Sequence, residues 1–515
     1  MAVAAAISDR HLRAAEGLSD KPLHVAQRVR IAMNAAWASS RAGQLLACCL
    51  INLLARQVDL VSEIEILIPT VPTVIRLPNG DLADGSLDQT LVRIAAWAVD
   101  DRVKVYAAQA PGIDVDITIA IGDDVGDGKG ITMFVIGDGW KAWVGVPGHA
   151  PKGIVPNKSN PLGPFLAAAL AAGEVFKRGR GLVRGRFLTA NGYSLWTGQQ
   201  SDGWDDLPDG PNLSGKRLKP LHVVGAGAVG NGLAYILAYA ELADPYVAVI
   251  DDDTYDTTSL NRCLLAGHDD VDDPKVDAIE ASLIKHGVGA YGFEGTISRY
   301  LTGDRTGLRS DLARQASDLA FDLVVSCVDR GGSRQDIQGL APSSLFGGST
   351  LRLGARSDFY PDRPGAACLS CFNPPEQDGE RLRALEKKLR ELNEAQRSAF
   401  LHEQGIDPAV VEAYLASPKC GTLGEAALLD LATRSPGEFS VGFVSLGAAI
   451  LLASKLFRQV LLGAPSEGGD VSALNFLNGG LQSSFLAADD HCHWDCKQRR
   501  ANGEGSMPEG SMPDG

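Results

Sequence analysis

The chain has 515 residues, a length that accommodates roughly two to four domains of ordinary size. Its 48 lysines and arginines against 63 aspartates and glutamates give a net charge of −15 at pH 7. This charge argues against a nucleic-acid partner, because phosphate binding needs a basic face. No apolar run reaches the roughly 18 residues of a membrane span, and the start MAVAAAISDR lacks the basic region of a secretory signal. We therefore expect a cytoplasmic protein with no membrane contact, whose nine cysteines serve metal binding or chemistry rather than disulfides.

The first half of the chain predicts helices that alternate with strands. A long helix is expected through Arg28–Arg56, followed by a strand at Ile64–Ile68. The apolar stretches Val115–Ile121 and Ile131–Ile136 indicate further strands, and the alanine-rich stretch Leu162–Phe176 indicates the last helix. This alternation predicts an α/β fold.

A loop-like stretch at residues 198–216, crowded with Gly, Pro, Asp and Ser, marks a boundary between two halves. After it, Leu221–Gly225 predicts a buried strand, followed by a glycine loop, an apolar helix and the strand YVAVIDDD; Phe321–Cys327 predicts another strand. The apolar stretch Leu446–Phe457 repeats the pattern of the last helix of the first half, so we interpret the halves as a duplication. The alternative is that this likeness reflects only how helices with small residues pack on a sheet.

The sequence GAGAVG, with Gly225, Gly227 and Gly230, matches the GxGxxG pattern between a strand and a helix. Its glycines permit a tight turn and a close approach of phosphate, and Asp251 after the next strand suits ribose hydroxyls. This pattern is found most often in NAD-dependent oxidoreductases. The corresponding stretch of the first half, NAAWASSRAG, has no closely spaced glycines. We therefore expect the first half to be a degenerate partner without nucleotide chemistry.

The charged residues after the glycine loop favour nucleotidyl transfer over hydride transfer. Carboxylates and two cations follow the second strand, and an acid and an arginine follow the next one. Because Mg²⁺ and basic side chains neutralise charge on phosphates, this set indicates a site for ATP and Mg²⁺. In chain order the residues are Asp251, Asp253, Arg262, Lys275, Asp329 and Arg334.

The glycine loop and these charged residues together resemble the E1-like adenylating enzymes, the group of ThiF, MoeB and the ubiquitin-activating enzymes. The family pattern is a glycine loop, D-x-D, an Asn-x-x-Arg stretch, a lysine, and an acid that ends the next strand. The resemblance implies bound ATP and Mg²⁺, with D-x-D falling on Asp251 and Asp253. The implied roles are ribose binding by Asp251, phosphate binding by Arg262 and Lys275, and Mg²⁺ binding at Asp329, with Arg334 nearby.

The N-terminal sequence DRHLR, which ends at Arg13, resembles the Arg-Tyr-x-Arg opening of the same family. The resemblance implies that Arg13 reaches from the first half into the ATP site as an arginine finger. The alternative is an exposed arginine without that role. Two positions depart from the family: Ser259 stands where an asparagine is usual, with Asn261 close by, and Arg330 replaces the asparagine after the last acid.

Four cysteines arrive as two close pairs, a CxxC motif and a second pair near the end of the chain. Two thiolate pairs complete the tetrahedral shell of a structural Zn²⁺ site, and the E1-like family places its zinc pairs in the same regions. His491 or His493 is the alternative for one ligand, whereas a redox role for CxxC needs a thioredoxin-like setting that the sequence lacks. The predicted zinc ligands are Cys368, Cys371, Cys492 and Cys496.

A further cysteine, Cys420, lies in the stretch SPKCGTLGEAALL between the first zinc pair and the last apolar helix. By resemblance this is the place of the acceptor cysteine, whose thiolate attacks an acyl-adenylate. Residues 373–419 before it are predicted to be a helical insertion, with leucines over Glu380–Phe400 spaced for one apolar stripe. The E1 enzymes enlarge the same region of their chains.

We predict a degenerate adenylation-like domain over residues 1–205, an active E1-like domain over residues 206–497 and a flexible tail over residues 498–515. The resemblance is strongest to the E1 proteins of bacterial ubiquitin-like conjugation operons, the Bil type of antiphage defence. It implies adenylation of the C-terminal glycine of a ubiquitin-like protein, a thioester on Cys420 and transfer to an E2-like enzyme; a homodimer is compatible. The alternative is a sulfur-carrier adenylyltransferase for molybdopterin or thiamine synthesis. A nucleotide-binding scaffold without catalysis and an NAD-dependent oxidoreductase are further alternatives, which the sequence favours less.

Overall fold

The computed structural model describes residues 2–16, 18, 23–123, 130–182, 189–302, 321–373, 378–418, 422–433, 440–464 and 469–497. Within these ranges the strands form two sheets of eight. The first sheet consists of β1 (Gln27–Met33), β2 (Val61–Leu67), β3 (Lys104–Ala107), β4 (Ile117–Ile121), β5 (Ile131–Asp138), β6 (Lys141–Gly145), β7 (Ala190–Ser194) and β8 (Gln200–Ser201). The second consists of β9 (Leu221–Val224), β10 (Tyr246–Asp251), β11 (Gly289–Glu294), β12 (Leu323–Ser326), β13 (Ser344–Leu351), β14 (Gly354–Tyr360), β15 (Val471–Asn475) and β16 (Gly480–Ser484).

The second sheet repeats the first strand for strand. The orders are β3-β2-β1-β4-β5-β6-β7-β8 and β11-β10-β9-β12-β13-β14-β15-β16. In each sheet the first five strands of this order pair in parallel and the last three pair antiparallel. The predicted fold class, an α/β protein with two Rossmann-like sheets, is confirmed. The strand order reverses between β1 and β4 and between β9 and β12, which are the places where such sheets bind ligands.

The helices connect the strands and pack against the sheets and each other. Those of the first half are α1 (Ala2–Ala14), α2 (Ala35–Ser39), α3 (Arg41–Ala55), α4 (Leu87–Val99) and α5 (Leu162–Gly179). Those of the second half are α6 (Ala228–Tyr239), α7 (Lys275–Lys285), α8 (Ile297–Leu301), α9 (Gly331–Gly339), α10 (Asp378–Glu391), α11 (Glu394–Glu403), α12 (Pro408–Ala416), α13 (Leu423–Thr433) and α14 (Gly442–Leu456).

The prediction of one long helix through Arg28–Arg56 is wrong. Residues 27–33 form the central strand β1, and the helical part begins only at Ala35. Six of the seven residues of β1 are buried, because the strand has neighbours on both sides and helices above it. A parallel strand buried on both faces loses the alternation of apolar and polar residues that identifies a strand in a sequence.

The two halves meet through α5 and α14, which pack against each other. Nearly every residue of both helices is buried, and the rings of Phe176 and Phe443 lie 5.3 Å apart. The helical stretch Gly442–Leu461 exceeds the apolar length expected from the sequence and is long and apolar enough to cross a membrane, yet 78% of its apolar window is buried inside the fold. It is therefore a core helix of this protein.

The chain divides into two compact units, one of Met1–Asn373 with Phe439–Gly515 and the other of Pro374–Glu438. The second unit contains α10 to α13 and has a core of its own around Leu389 and Leu401, both fully buried. Three of the leucines expected to form one stripe lie on α10, and the fourth, Leu392, lies in the turn before α11, whose start Asn393 caps through its side chain. The predicted insertion is thus a small helical unit in the described part of the chain.

Helix α1 is fastened to the first half by a buried ionic cluster. Asp59 receives hydrogen bonds from His11, Arg180 and Ser8, the last at 3.0 Å. The side chains of Asp59, His11 and Arg180 are at most 6% exposed. Burial alone would raise the pKa of Asp59, but the hydrogen bond and charge of His11 and the charge of Arg180 lower it to about 2.

We expect Asp59→Asn to lower the free energy of unfolding at pH 7 by about 2 kcal/mol, because lowering the pKa of a carboxyl group from 3.8 to about 2 on folding corresponds to that much stability. Because the folded pKa lies below the ordinary one, the wild-type advantage is complete above about pH 5 and shrinks as the pH falls towards 2. Urea unfolding at pH 7 and pH 3 measures it. Asp244→Asn, whose pair with Arg217 lies at the surface, is the control. A difference as large at pH 3 as at pH 7 would contradict the assignment.

Candidate functional site

The glycine loop crosses from β9 to α6 at the point where the second sheet reverses its strand order. Gly225 has φ +100°, and a Cβ there would lie 2.7 Å from the backbone of Cys327, which follows β12. A Cβ on Gly230 would lie 1.9 Å from the carbonyl oxygen of Gly225. The space around Gly227, before the first turn of α6, is open within 4 Å of such a Cβ. The loop is therefore closed against the sheet and open on the side where a phosphate would meet the helix N-terminus.

The acidic residues lie at the carboxyl end of β10, beside the glycine loop. The Asp251 carboxylate accepts hydrogen bonds from the backbone N–H of Ala226 at 2.5 Å and of Asp253 at 2.9 Å. Burial raises the pKa of Asp251, and the charge of Lys275 opposes this. Carboxylate oxygens of Asp251, Asp252 and Asp253 lie within 4.8 Å of one another. Such an oxygen set has the chemistry that Mg²⁺ prefers.

Lys275 begins α7 and points to the same acids. Its Nζ lies 2.7 Å from the carboxylate of Asp253, and its side chain is 12% exposed. Burial acts to lower the pKa of Lys275, but the charges of Asp251 and Asp253 raise it above its ordinary value. A charged ammonium is thus held at the carboxyl edge of the sheet, where it can meet a phosphate.

Arg262 lies in a short stretch that we call the arginine segment, residues 257–266. It starts with a 3₁₀ turn at Thr257–Asn261. One Nη of Arg262 donates to the carbonyl oxygen of Thr258 at 2.8 Å and to the side-chain oxygen of Asn261 at 3.0 Å. The segment is largely buried, whereas the side chain of Arg262 is half-buried.

Helix α1 packs against the 3₁₀ turn of the arginine segment. Burial and the nearby charge of Arg262 lower the pKa of Arg10 to about 10, so two guanidinium groups gather here. Arg13, the predicted finger, lies one turn further along α1 and is exposed. The sequence does not single out Arg10 as a functional residue, because the family pattern assigns the finger to the second arginine of the motif.

Asp329 and Arg330 follow β12 and are both exposed. The guanidinium of Arg330 lies 3.8 Å from the carboxylate of Asp252, so the loops after β10 and β12 meet across the switch point. Arg334 lies further along: its Nε donates to the carbonyl oxygen of Val328 at 3.0 Å. Its Nη1 donates to the side chain of Asn373 at 2.6 Å. Arg334 thus braces the loop that carries Asp329.

The structure brings the four predicted zinc ligands into one buried cluster. Sulfur–sulfur distances are 3.8 Å for Cys368–Cys371, 3.4 Å for Cys368–Cys492 and 3.3 Å for Cys371–Cys496. All four cysteines are free of disulfides, and Zn–S bonds of about 2.3 Å would set the sulfurs about 3.8 Å apart, close to this spacing. His491 and His493 are exposed and are not part of the cluster. The four sulfurs therefore fit a closed zinc shell.

The cysteine cluster is joined to α9, the helix that follows Asp329. The side-chain oxygen of Gln335 accepts hydrogen bonds from Ser370 at 2.8 Å and from the indole of Trp494 at 2.7 Å. Gln338 accepts from the backbone N–H of Leu369 at 2.9 Å. Residues between and beside the cysteines thus hold the helix whose N-terminus lies next to the loop that carries Asp329.

The corresponding crevice of the first sheet is filled. Trp37, in the helix that follows β1, is fully buried, and a Cβ on Gly122, after β4, would lie 2.4 Å from its indole. A tryptophan therefore occupies the switch point where the second half has an open glycine loop. Cys420, the predicted acceptor, lies outside the described residues together with Lys419.

Comparisons with known proteins agree with this division. Residues 216–461 match the ThiF family, and residues 28–189 match the BilD N-terminal domain. Among solved structures, E. coli MccB with MccA-N7isoASN is 15% identical at a TM-score of 0.35, covering 53% of this chain and 66% of that one. E. coli MccB with ATP is 15% identical at a TM-score of 0.35, covering 63% of this chain and 73% of that one. The chain thus spans just under two thirds of the first of these structures, and no curated protein matches it.

We expect the protein to bind one Zn²⁺ per chain and Cys371→Ser to lose most of it, because three thiolates no longer close the shell. Elemental analysis of purified protein measures the zinc content. Cys327→Ser, which changes a thiol outside the cluster, should keep the metal. Equal zinc in both variants, or none in the wild type, would refute the site.

Proposed function

We propose that the protein activates a ubiquitin-like protein with ATP. The match of residues 216–461 to the ThiF family and of residues 28–189 to the BilD N-terminal domain supports this proposal. The observation that carries the proposal is the gathering of Asp251, Asp253 and Lys275 beside an open glycine loop in the second half. In the first half Trp37 fills the same position. The proposal therefore assigns one nucleotide site to each chain.

In the first step a carboxylate oxygen of the partner's C-terminal glycine attacks the α-phosphorus of ATP. The bond from that phosphorus to the β-phosphate oxygen breaks, so that pyrophosphate leaves and an acyl-adenylate remains. Arg262 and Lys275 neutralise the phosphate charge, and Asp251 holds the ribose. Bound Mg²⁺ supplies further charge neutralisation, with Asp253 and Asp329 as the residues that would hold it.

In the second step the thiolate of Cys420 attacks the carbonyl carbon of the acyl-adenylate, and AMP leaves. The cysteine of an E2-like enzyme then takes the acyl group by thioester exchange. The support for Cys420 is its place in the sequence, between the first zinc pair and α14 and within the range Pro374–Glu438 of the helical unit. We place the reaction in the bacterial cytoplasm, in antiviral defence of the Bil type, and a homodimer is compatible with it.

We expect Lys275→Ala or Asp329→Ala to lower ATP–pyrophosphate exchange with the cognate ubiquitin-like protein by about 100-fold, because each removes charge stabilisation from the transferring phosphate. Lys285→Ala is the matched control: it removes the lysine at the other end of α7, which also pairs with an aspartate, at 2.8 Å. Near wild-type exchange in Lys275→Ala would mean that the ATP site lies elsewhere.

We expect Cys420→Ala to keep ATP–pyrophosphate exchange and to lose the thiol-sensitive adduct with the ubiquitin-like protein on a non-reducing gel. The adenylate forms without a cysteine, whereas the thioester needs one. Cys327→Ala should retain the adduct. Survival of the adduct in Cys420→Ala would assign the acceptor to another cysteine. A wild type that forms no adduct would favour the alternative, adenylation of a sulfur-carrier protein.

A further inference from the structure

The end of α3 in the first half binds the arginine segment of the second half through buried side chains. Asn52 and Arg56 are at most 1% exposed, and Arg56 Nε donates to the side-chain oxygen of Asn52 at 2.9 Å. Their remaining amide and guanidinium donors reach three backbone carbonyls of the arginine segment. The acceptors are Leu260 at 2.6 Å and Ala266 at 2.8 Å for Arg56, and Leu264 at 3.0 Å for Asn52.

The guanidinium of Arg56 donates its hydrogen bonds to neutral acceptors. Among the described residues no carboxylate forms a hydrogen bond or ion pair with it, and Asp270 acts on it only through its charge. Burial lowers its pKa to about 10, so the guanidinium stays charged at neutral pH. A buried cation that binds carbonyls fixes their positions strongly, because each carbonyl left alone in the interior would be costly.

The three bound carbonyls lie on both sides of Arg262. Leu260 precedes it, and Leu264 and Ala266 follow it. From the other side, Asn231 of α6 accepts the backbone N–H of Leu265 at 3.0 Å. The segment that presents Arg262 is therefore held between the helix of the glycine loop and a helix of the degenerate half.

We propose that Asn52 and Arg56 are positioning residues for the ATP site, through which the first half fixes the arginine segment so that Arg262 meets the nucleotide phosphates. This inference rests on the proposed function, because it takes Arg262 as a phosphate ligand. The first half would then support the arginine segment in two ways, through the packing of α1 against its 3₁₀ turn and through the hydrogen bonds of Asn52 and Arg56.

A double-mutant cycle on ATP binding tests the coupling. Asn52→Ala and Arg56→Met should each weaken ATP binding, measured by calorimetry on the full chain, and Arg56→Met by about tenfold. In an Arg262→Ala background the same changes should add less than about twofold, since they act through that residue. Tyr193→Phe, which removes another hydrogen bond between the halves, to Gly479 at 2.7 Å, should leave ATP binding unchanged. Fully additive losses, or an equal loss in Tyr193→Phe, would overturn the proposal.

Hydrogen exchange separates this inference from the proposed function. Without any nucleotide, the amides of residues 257–266 should exchange about tenfold faster in Asn52→Ala than in Tyr193→Phe, because the segment has lost a support. Unchanged exchange would overturn the positioning role even if the protein binds ATP. A wild type that binds no ATP, with exchange raised as expected, would instead refute the proposed function and leave the contact intact. Asn52→Ala removes the bond to Leu264 and the bond from Arg56 Nε but leaves the Arg56 bonds to Leu260 and Ala266, so it serves if Arg56→Met fails to fold.

Discussion

The packing of α5 against α14 is the constraint on which the rest of the structure depends. Both helices are buried along nearly their whole length, because each packs against the other as well as against strands of its own sheet. Small residues dominate α5, and the rings of Phe176 and Phe443 fill the contact. The first half therefore has a structural role that does not require a nucleotide site of its own, provided that its core remains filled.

The two halves show that one topology supports opposite outcomes at the switch point. The strand order is the same in both sheets, but the first half places Trp37 against Gly122 where the second half has an open loop at Gly227. An indole fills the first crevice and removes the space in which a nucleotide would lie. The first half contributes contacts to the second half instead, because α1 packs against the arginine segment and the end of α3 forms hydrogen bonds to it.

Motifs with a spacing of a few residues predict the candidate site of the second half, whereas the contacts between the two halves have no such motif. The glycine loop, the acids after β10 and the cysteine pairs are defined by spacing within a few residues, and the structure brings each group together. Arg56 carries no such signal, because its partners are backbone carbonyls about 200 residues away, and any sequence offers those. The strand at Gln27–Met33 was mistaken for helix because a strand buried on both faces lacks alternation.

The groups assigned to chemistry are more exposed than the groups that hold them. Asp329 is exposed and Arg262 is half-buried. Asn52 and Arg56, which hold the segment of Arg262, are fully buried. The loop of Asp329 is supported through α9, which the cysteine cluster region holds by hydrogen bonds. A ligand needs access to charged groups, but long side chains at a surface have many rotamers and lose entropy when they bind. Buried supports reduce that loss by fixing the backbone from which the side chain starts. Under the proposed function, the geometry of this site therefore depends on residues outside the proposed nucleotide contacts, which lie in the first half on one side and around the cysteines on the other.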